Sequence, residues 1–218
     1  MLFSKILKKI KENPELFNLG NLSKGMRVIL VPTNFGSQAT QALSYAVAIA
    51  KQQKSKIIVH HSYEINIPPG SNLAFYKQAI HDTEQASIDK LNTFITPYKQ
   101  DLYQDTNEKL IFELSYSQGL PVKDVERVAK QKKVSLVVTP FKEHTGLMNS
   151  FSQGSAMSIN QKVKCPVLLV PSNAHYQQIE NIVYASKLDG ENETLALETL
   201  INLASTYDAK VQWLHILT

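Results

Sequence analysis

Few residues of this chain stand in the patterns that support phosphate, metal or nucleophilic chemistry. The chain has eight glycines, and no two of them are separated by one residue, so the G-x-G-x-x-G dinucleotide fingerprint is absent. The P-loop pattern and the G-x-S-x-G elbow of serine hydrolases are absent too. The six histidines include no pair at i, i+3 or i+4, and Cys165 is the only cysteine. Dehydrogenase, P-loop, serine hydrolase and zinc functions are therefore not expected, and no metal site is predicted.

After these exclusions, the pair Gly154-Ser155 is the one sequence feature that could bind a phosphate group. A glycine and a serine at the start of a helix present free backbone N–H groups, which favour an anion. The same pair has a purely structural interpretation, in which Ser155 caps a helix over 155–163 and Gly154 turns the chain. The residues alone leave both interpretations open. His60 and His61 end a predicted strand, and at least one of them is expected to face the core or the backbone rather than a ligand.

The composition predicts a globular protein with a basic amino-terminal arm. Apolar residues make up 43% and charged residues 19%, which excludes a disordered or collagen-like chain. Residues 1–25 hold five lysines against two glutamates, a balance of +3 out of the total of +4. The body is thus nearly neutral, and no nucleic-acid-binding face is expected. The single cysteine and the absence of a secretory signal pattern favour the cytoplasm.

The arm carries the pattern of an amphipathic helix. Apolar residues form one stripe over residues 2–10, lysines occupy the rest, and Pro14 ends the pattern. Such a helix could contact an anionic membrane through residues 1–11. Docking on this protein's own surface is the favoured alternative, because eleven residues anchor poorly without a second signal.

Residues 26–173 alternate short apolar runs with amphipathic helices. The runs at 28–31, 57–59, 109–116, 134–138 and 167–170 predict buried strands. Helices are predicted over 39–50 and 73–96, from Pro121 onward, and over 155–163. This order predicts an α/β domain with a parallel sheet that is covered by helices on both faces.

A partial repeat follows the first domain. Residues 182–186 repeat 29–33, and shifting the sequence by 154 places Lys56 on Lys210 and His61 on His215. The second copy covers 179–218 and contains only strand, helix and strand, so we expect a truncated β-α-β unit. A unit of this size buries little apolar surface, and the arm is one candidate for its cover.

Three segments together resemble the universal stress protein family. They are 28–35 (VILVPTNF), the Ala42-Leu43-x-x-Ala46 helix, and Gly154-Ser155 ahead of Lys164-Cys165-Pro166-Val167. The resemblance covers 26–173, and the partial repeat resembles the start of a second unit in tandem members. It implies a five-stranded parallel sheet in the order 3-2-1-4-5, a cytoplasmic stress-response role, and a homodimer formed through the strand Val167–Val170. It also implies a branch of the family that binds nucleotides and a branch that does not.

That strand order places the switch point, where ligands of open α/β sheets bind, between strands one and four. The candidate ligand-contacting residues there are Pro32, Thr33, Asn34, Thr139, Pro140, Gly154 and Ser155. In ATP-binding members, the loop after strand four resembles the pattern Gly-x-x-Gly, followed by nine residues and then by Gly-Ser or Gly-Thr. Here Pro140 and Glu143 take the first two glycine positions, ten residues replace nine, and Asn34 takes the place of the family's adenine-side aspartate.

These departures weaken the expected nucleotide site. Pro140 has no N–H to donate to a phosphate, and Glu143 adds a negative charge near it. The resemblance therefore implies a dimeric binding or regulatory scaffold without tight ATP binding, without catalytic residues and without a resident cofactor. The alternative is a nucleotide-binding member with weak ATPase activity.

Overall fold

The computed structural model describes residues 27–65, 67–100, 110–141, 150–186 and 193–215. The chain divides into two compact units. The first unit is Arg27–Tyr176, and the second contains the described residues from Gln177 onward. The predicted arm of residues 1–25 and the predicted loop residue Glu143 lie outside the described residues.

The first unit is built on a five-stranded parallel sheet. Its strands are β1 (Val28–Pro32), β2 (Lys56–Tyr63), β3 (Ile111–Gln118), β4 (Leu136–Phe141) and β5 (Val167–Pro171). Their spatial order is β3-β2-β1-β4-β5, and every pairing is parallel. The fold class and the strand order implied by the family resemblance are therefore confirmed.

Helices cover both faces of this sheet. They are α1 (Ser37–Gln53), α2 (Leu73–Gln100), α3 (Pro121–Gln131) and α4 (Ser150–Lys162). Leu30, Ile58 and Val137 face α3 and α4, and they pack with Val125 and Ile159 in one buried cluster. Since side chains alternate along a strand, the neighbouring residues face α1 and α2 on the other side. Among the described residues, no helix is long and apolar enough to cross a membrane.

Two predicted boundaries at the switch point were wrong. The fourth helix begins at Ser150 rather than at 155, so Gly154 and Ser155 lie within α4 and not at its amino terminus. The fourth strand continues to Phe141, so Thr139 and Pro140 belong to β4 and not to a loop. A proline fits there because the pairing of β4 with the inner strand β1 ends at Val137, whereas the pairing with β5 continues.

The second unit is a β-α-β unit, as predicted. It contains β6 (Asn181–Ser186), α5 (Glu193–Tyr207) and β7 (Lys210–His215), and the two strands are parallel. Asn181 lies opposite Lys210, just as Val28 lies opposite Lys56 in the first unit. The internal repeat therefore preserves the strand register as well as the order of elements.

Candidate functional site

The turn after β1 has its polar groups engaged within the protein. The Thr33 N–H donates to the His60 carbonyl at 2.8 Å, and Thr33 Oγ1 accepts the Phe35 N–H at 2.9 Å. Asn34 Oδ1 accepts the Gly36 N–H at 3.1 Å. Such short loops, closed by a threonine and an asparagine side chain, fix the backbone locally. Thr33 is buried and Asn34 is exposed.

An aromatic cluster supports this turn from the side of α2. Phe35 has a left-handed backbone conformation with a φ of 64°, which is unusual for a bulky residue. Its ring lies 4.5 Å from the His61 ring and 5.8 Å from the Phe94 ring, measured between centroids. The His61 Nδ1–H donates to the Thr33 carbonyl at 3.0 Å. These contacts hold Phe35 in its strained conformation and place an aromatic surface at the carboxyl ends of β1 and β2.

The carboxyl end of β4 lies at the same edge of the sheet. Thr139 is buried and pairs with Leu169, and Pro140 pairs with Val170. Because β1 and β4 are adjacent and parallel, Pro32, Thr33 and Asn34 follow one strand where Thr139 and Pro140 end the next. The predicted switch-point strands therefore meet as expected. The segment 142–149 lies outside the described residues, and the ligand contacts of Gly154 and Ser155 stay a prediction.

Sequence reasoning missed a polar cluster on the other face of β2. His60 is 1% exposed, and its Nδ1 and Nε2 are hydrogen-bonded to Ser115 Oγ at 2.9 Å and to Ser62 Oγ at 3.2 Å. Burial lowers the pKa of His60 to about 4, although the nearby Asp124 carboxylate opposes that shift. Both histidines thus face core or backbone groups, and His60 is neutral at neutral pH.

Asp124 and Arg127 of α3 border the same cluster. Asp124 is 6% exposed, and its Oδ1 accepts Arg127 Nη2–H at 3.0 Å, a nitrogen that also donates to Ser117 Oγ at 2.9 Å. Asp124 Oδ2 is buried without a hydrogen-bond partner among the described residues. A Cβ on Gly119, whose φ is +153°, would come within 2.9 Å of that oxygen, so the position requires glycine. The Asp-x-x-Arg spacing just after Pro121 was the available sequence signal.

This cluster is not arranged for nucleophilic catalysis. His60 contacts a serine on each ring nitrogen, so the carboxylate that orients the base in a catalytic triad is replaced by a hydroxyl. Burial raises the pKa of the Cys165 thiol to about 11, which keeps it protonated. In the described parts of the chain, no group of three metal-ligating side chains comes together. The geometry therefore favours binding or a structural role over chemistry at these residues.

Comparison of the sequence with models of protein families identifies the family of this chain. The model of the universal stress protein family matches residues 25–171. The chain belongs to the universal stress protein family. The match covers almost the whole first unit, and the resemblance carried by 28–35, the α1 helix and the segment before β5 is confirmed.

Individual universal stress proteins are distant relatives of this one. The universal stress protein YxiE of Bacillus subtilis (strain 168) is 24% identical over 147 residues, which cover 65% of this chain and 97% of that protein. The structure of UspA from Lactobacillus plantarum has a TM-score of 0.52 at 19% identity, covering 66% and 97% of the two chains. A universal stress protein from Archaeoglobus fulgidus DSM 4304 has a TM-score of 0.58 at 14% identity, covering 88% of this chain and 67% of that one. At these identities the structures establish a shared fold.

Proposed function

We propose that this universal stress protein is a cytoplasmic stress-response protein that acts as a dimeric binding scaffold and does not bind ATP tightly. The observation that carries the proposal is the hydrogen bonding of Asn34 in the turn after β1. Asn34 lacks the charge of an aspartate, and its oxygen already accepts the Gly36 N–H at 3.1 Å. That oxygen has one lone pair left and no charge, so it is a weaker acceptor for the adenine side of a nucleotide than the carboxylate of an aspartate.

The position of Pro140 supports the same proposal. A phosphate cradle is built from consecutive backbone N–H groups that point at the anion. Pro140 lies in β4 opposite Val170 and has no N–H. One donor of the cradle is therefore missing whatever conformation the following loop adopts.

Calorimetric titration with Mg-ATP tests the nucleotide part of the proposal. We expect no dissociation constant tighter than about 1 mM for the native chain. Asn34→Asp should raise the affinity, because a carboxylate keeps one oxygen for Gly36 and frees the other. The matched control Asn34→Ala removes the amide without adding charge and should give no gain. A micromolar dissociation constant for the native chain would overturn the proposal, and phosphate release from ATP would then establish the weak-ATPase alternative.

The scaffold part of the proposal rests on β5. This strand lies at one edge of the five-stranded sheet, and no described strand pairs with its outer side. Val167, Leu168 and Leu169 are half-buried, and an apolar edge of this kind promotes association unless it is covered. We infer that the Val167–Val170 segment pairs with the same segment of a second chain.

Light scattering of Leu169→Lys tests the dimer. The substitution places a charge at the proposed interface and should reduce the dimer to the monomer mass. The matched control is Ile111→Lys in β3, at the opposite edge of the sheet, where the side chain is also partly exposed. A dimer that survives Leu169→Lys but not Ile111→Lys would place the interface at β3.

A further inference from the structure

A cavity of about 320 Å³ lies at the amino-terminal edge of the first unit's sheet. It is formed where α3 and α4 end and where the chain leads into β4 and β5. Its volume is at the lower end of the range for small-molecule sites. Because the turn after β1 lies at the carboxyl edge, this cavity is separate from the candidate nucleotide site.

Four lysines and a single carboxylate, that of Glu126, line the cavity. The lysines are Lys130, Lys133, Lys162 and Lys164. Within the described part of the chain, none of the four forms an ion pair. Their neighbour Lys132, by contrast, pairs with Glu113 at 2.8 Å. In the described part of the chain, the wall therefore gathers four positive charges against the one negative charge of Glu126, and an anion would relieve the mutual repulsion of the lysines.

The helix ends account for only part of this charge. Lysines in the last turn of a helix interact favourably with its dipole, which explains Lys130 and Lys162. Lys133 and Lys164 lie beyond the helix ends and still line the cavity. The carbonyls of Val128 and Ala129 in the last turn of α3 already accept backbone N–H groups at 2.9 Å, so they do not require lysine donors.

The floor of the cavity is apolar. Ala129 and Val134 are buried, and Val163 and Cys165 are half-buried. A strongly hydrated inorganic ion would leave this surface unused, whereas a ligand with an apolar body would cover it. The arm of residues 1–25 carries a net charge of +3, which makes it an electrostatically unfavourable occupant of a lysine-lined cavity.

We propose that this cavity binds a small amphipathic organic anion, with its phosphate or carboxylate group among the four lysines and its apolar body on Val134, Val163 and Cys165. The site requires a ligand that has both a negative charge and an apolar body. It therefore discriminates against inorganic phosphate, which lacks the body, and against alkyl cations, which have the wrong charge.

The single cysteine provides a specific readout. Alkylation of Cys165 by iodoacetamide is followed at one fixed pH with octyl phosphate, octanoate, inorganic phosphate or octylamine present. At ten times its dissociation constant, a bound anion should slow the alkylation about tenfold, since protection follows occupancy. Octyl phosphate and octanoate distinguish a phosphate from a carboxylate head group. Inorganic phosphate and octylamine should give little protection, and calorimetry with the protective compound should report binding directly.

A variant with substitutions at two lysines outside the helices tests whether the lysines bind the anion. Lys133→Asn together with Lys164→Gln removes charge at two positions outside the helices, and asparagine tolerates the left-handed backbone of residue 133, whose φ is 50° and which closes the carboxyl end of α3. The single variants are measured as well, each with a circular dichroism spectrum. The matched control Lys123→Gln removes an exposed lysine from the other end of α3 and should retain full protection. Equal protection in the double variant, protection by octylamine, or no protection by either anion up to about 1 mM would overturn the proposal.

Discussion

The second unit shares its order of elements and its strand register with the β1-α1-β2 part of the first unit, but the two differ in what they bury. Matching the strands by register places Leu30 on Val183 and Ile58 on Gln212. Leu30 is 0% exposed in the first unit, whereas Val183 is 61% exposed in the second. The same local pattern of strand, helix and strand is thus compatible with a fully buried and a largely open sheet face. The burial of Leu30 follows from the second helical layer of the first unit, which α3 and α4 provide.

On the other face of the two sheets, the side chains differ in size. The buried pair Val31 and Val59 of the first unit corresponds to Tyr184 and Trp213 in the second. These rings lie 4.8 Å apart in an edge-to-face arrangement. Trp213 Nε1 is buried without a hydrogen-bond partner among the described residues. Large aromatic side chains supply apolar contact in a unit that has fewer elements to supply it.

The largest expected effect contrasts Leu30 with Val183. Leu30→Ala should cost about 2–5 kcal/mol of unfolding free energy, because it leaves a cavity in a closed core. Val183→Ala should stay within about 0.5 kcal/mol, as exposed substitutions usually do. Urea unfolding followed by circular dichroism mainly reports the helices of the first unit. Fluorescence reports the second unit, since Trp213 is the only tryptophan.

One outcome would break this first comparison. A Val183→Ala cost as large as that of Leu30→Ala would mean that the exposed face of the second unit is covered by another segment. Deleting residues 1–13 would then decide whether the arm is that segment. In the deleted chain, limited proteolysis within 179–218 should become faster if the arm provides the cover.

The second expected effect concerns His60, whose counterpart by register is the half-exposed Leu214. The pKa of His60 is lowered from 6.5 to about 4 by burial, with Asp124 opposing and Arg127 and His61 adding to the shift. The unfolded chain therefore binds a proton first as the pH falls. The contribution of His60 to stability is fully present above pH 6.5 and decreases toward pH 4, by about 3 kcal/mol at most.

A non-titrating variant isolates this pH effect from that of the carboxylates. Urea unfolding of the native chain and of His60→Gln is measured by circular dichroism at pH 7.5 and pH 4.5. The native chain should lose more stability between the two pH values than the variant does. Equal losses would show that protonation of His60 is not coupled to folding.

The apolar runs of the strands made the fold predictable. Val28–Pro32 and Val167–Pro171 are short and continuously apolar, which is typical of strands buried on both faces. The strand order came from the family resemblance, because the physical pattern is the same for several orders. The boundary of β4 was missed because a proline usually ends an inner strand, and Pro140 lies where the pairing with β1 has already stopped.

The candidate site was predictable only where it is local in sequence. Thr33 and Asn34 fold a turn with their immediate neighbours, so their position after β1 was sufficient. The cluster around His60 depends on Ser115 and Asp124, which are distant in sequence and come together only through the β2–β3 pairing and α3. The Asp-x-x-Arg spacing indicates the pair of Asp124 and Arg127 on one helix face, but it does not indicate that this pair lies beside His60.

The smallest expected effect concerns the ring pair of the second unit. Tyr184→Leu removes the edge-to-face contact with Trp213 and should cost about 0.5–1.5 kcal/mol beyond the lost apolar area. The loss should appear in the fluorescence transition of Trp213, with no change in the circular dichroism transition of the first unit. The matched control is Tyr176→Leu, which removes the edge-to-face pair of Tyr45 and Tyr176 in the first unit, where the ring centroids lie 5.3 Å apart. This variant should alter only the circular dichroism transition. If either variant shifts both transitions equally, the two units unfold as one cooperative body, and the open face of the second unit must gain its stability from the rest of the chain.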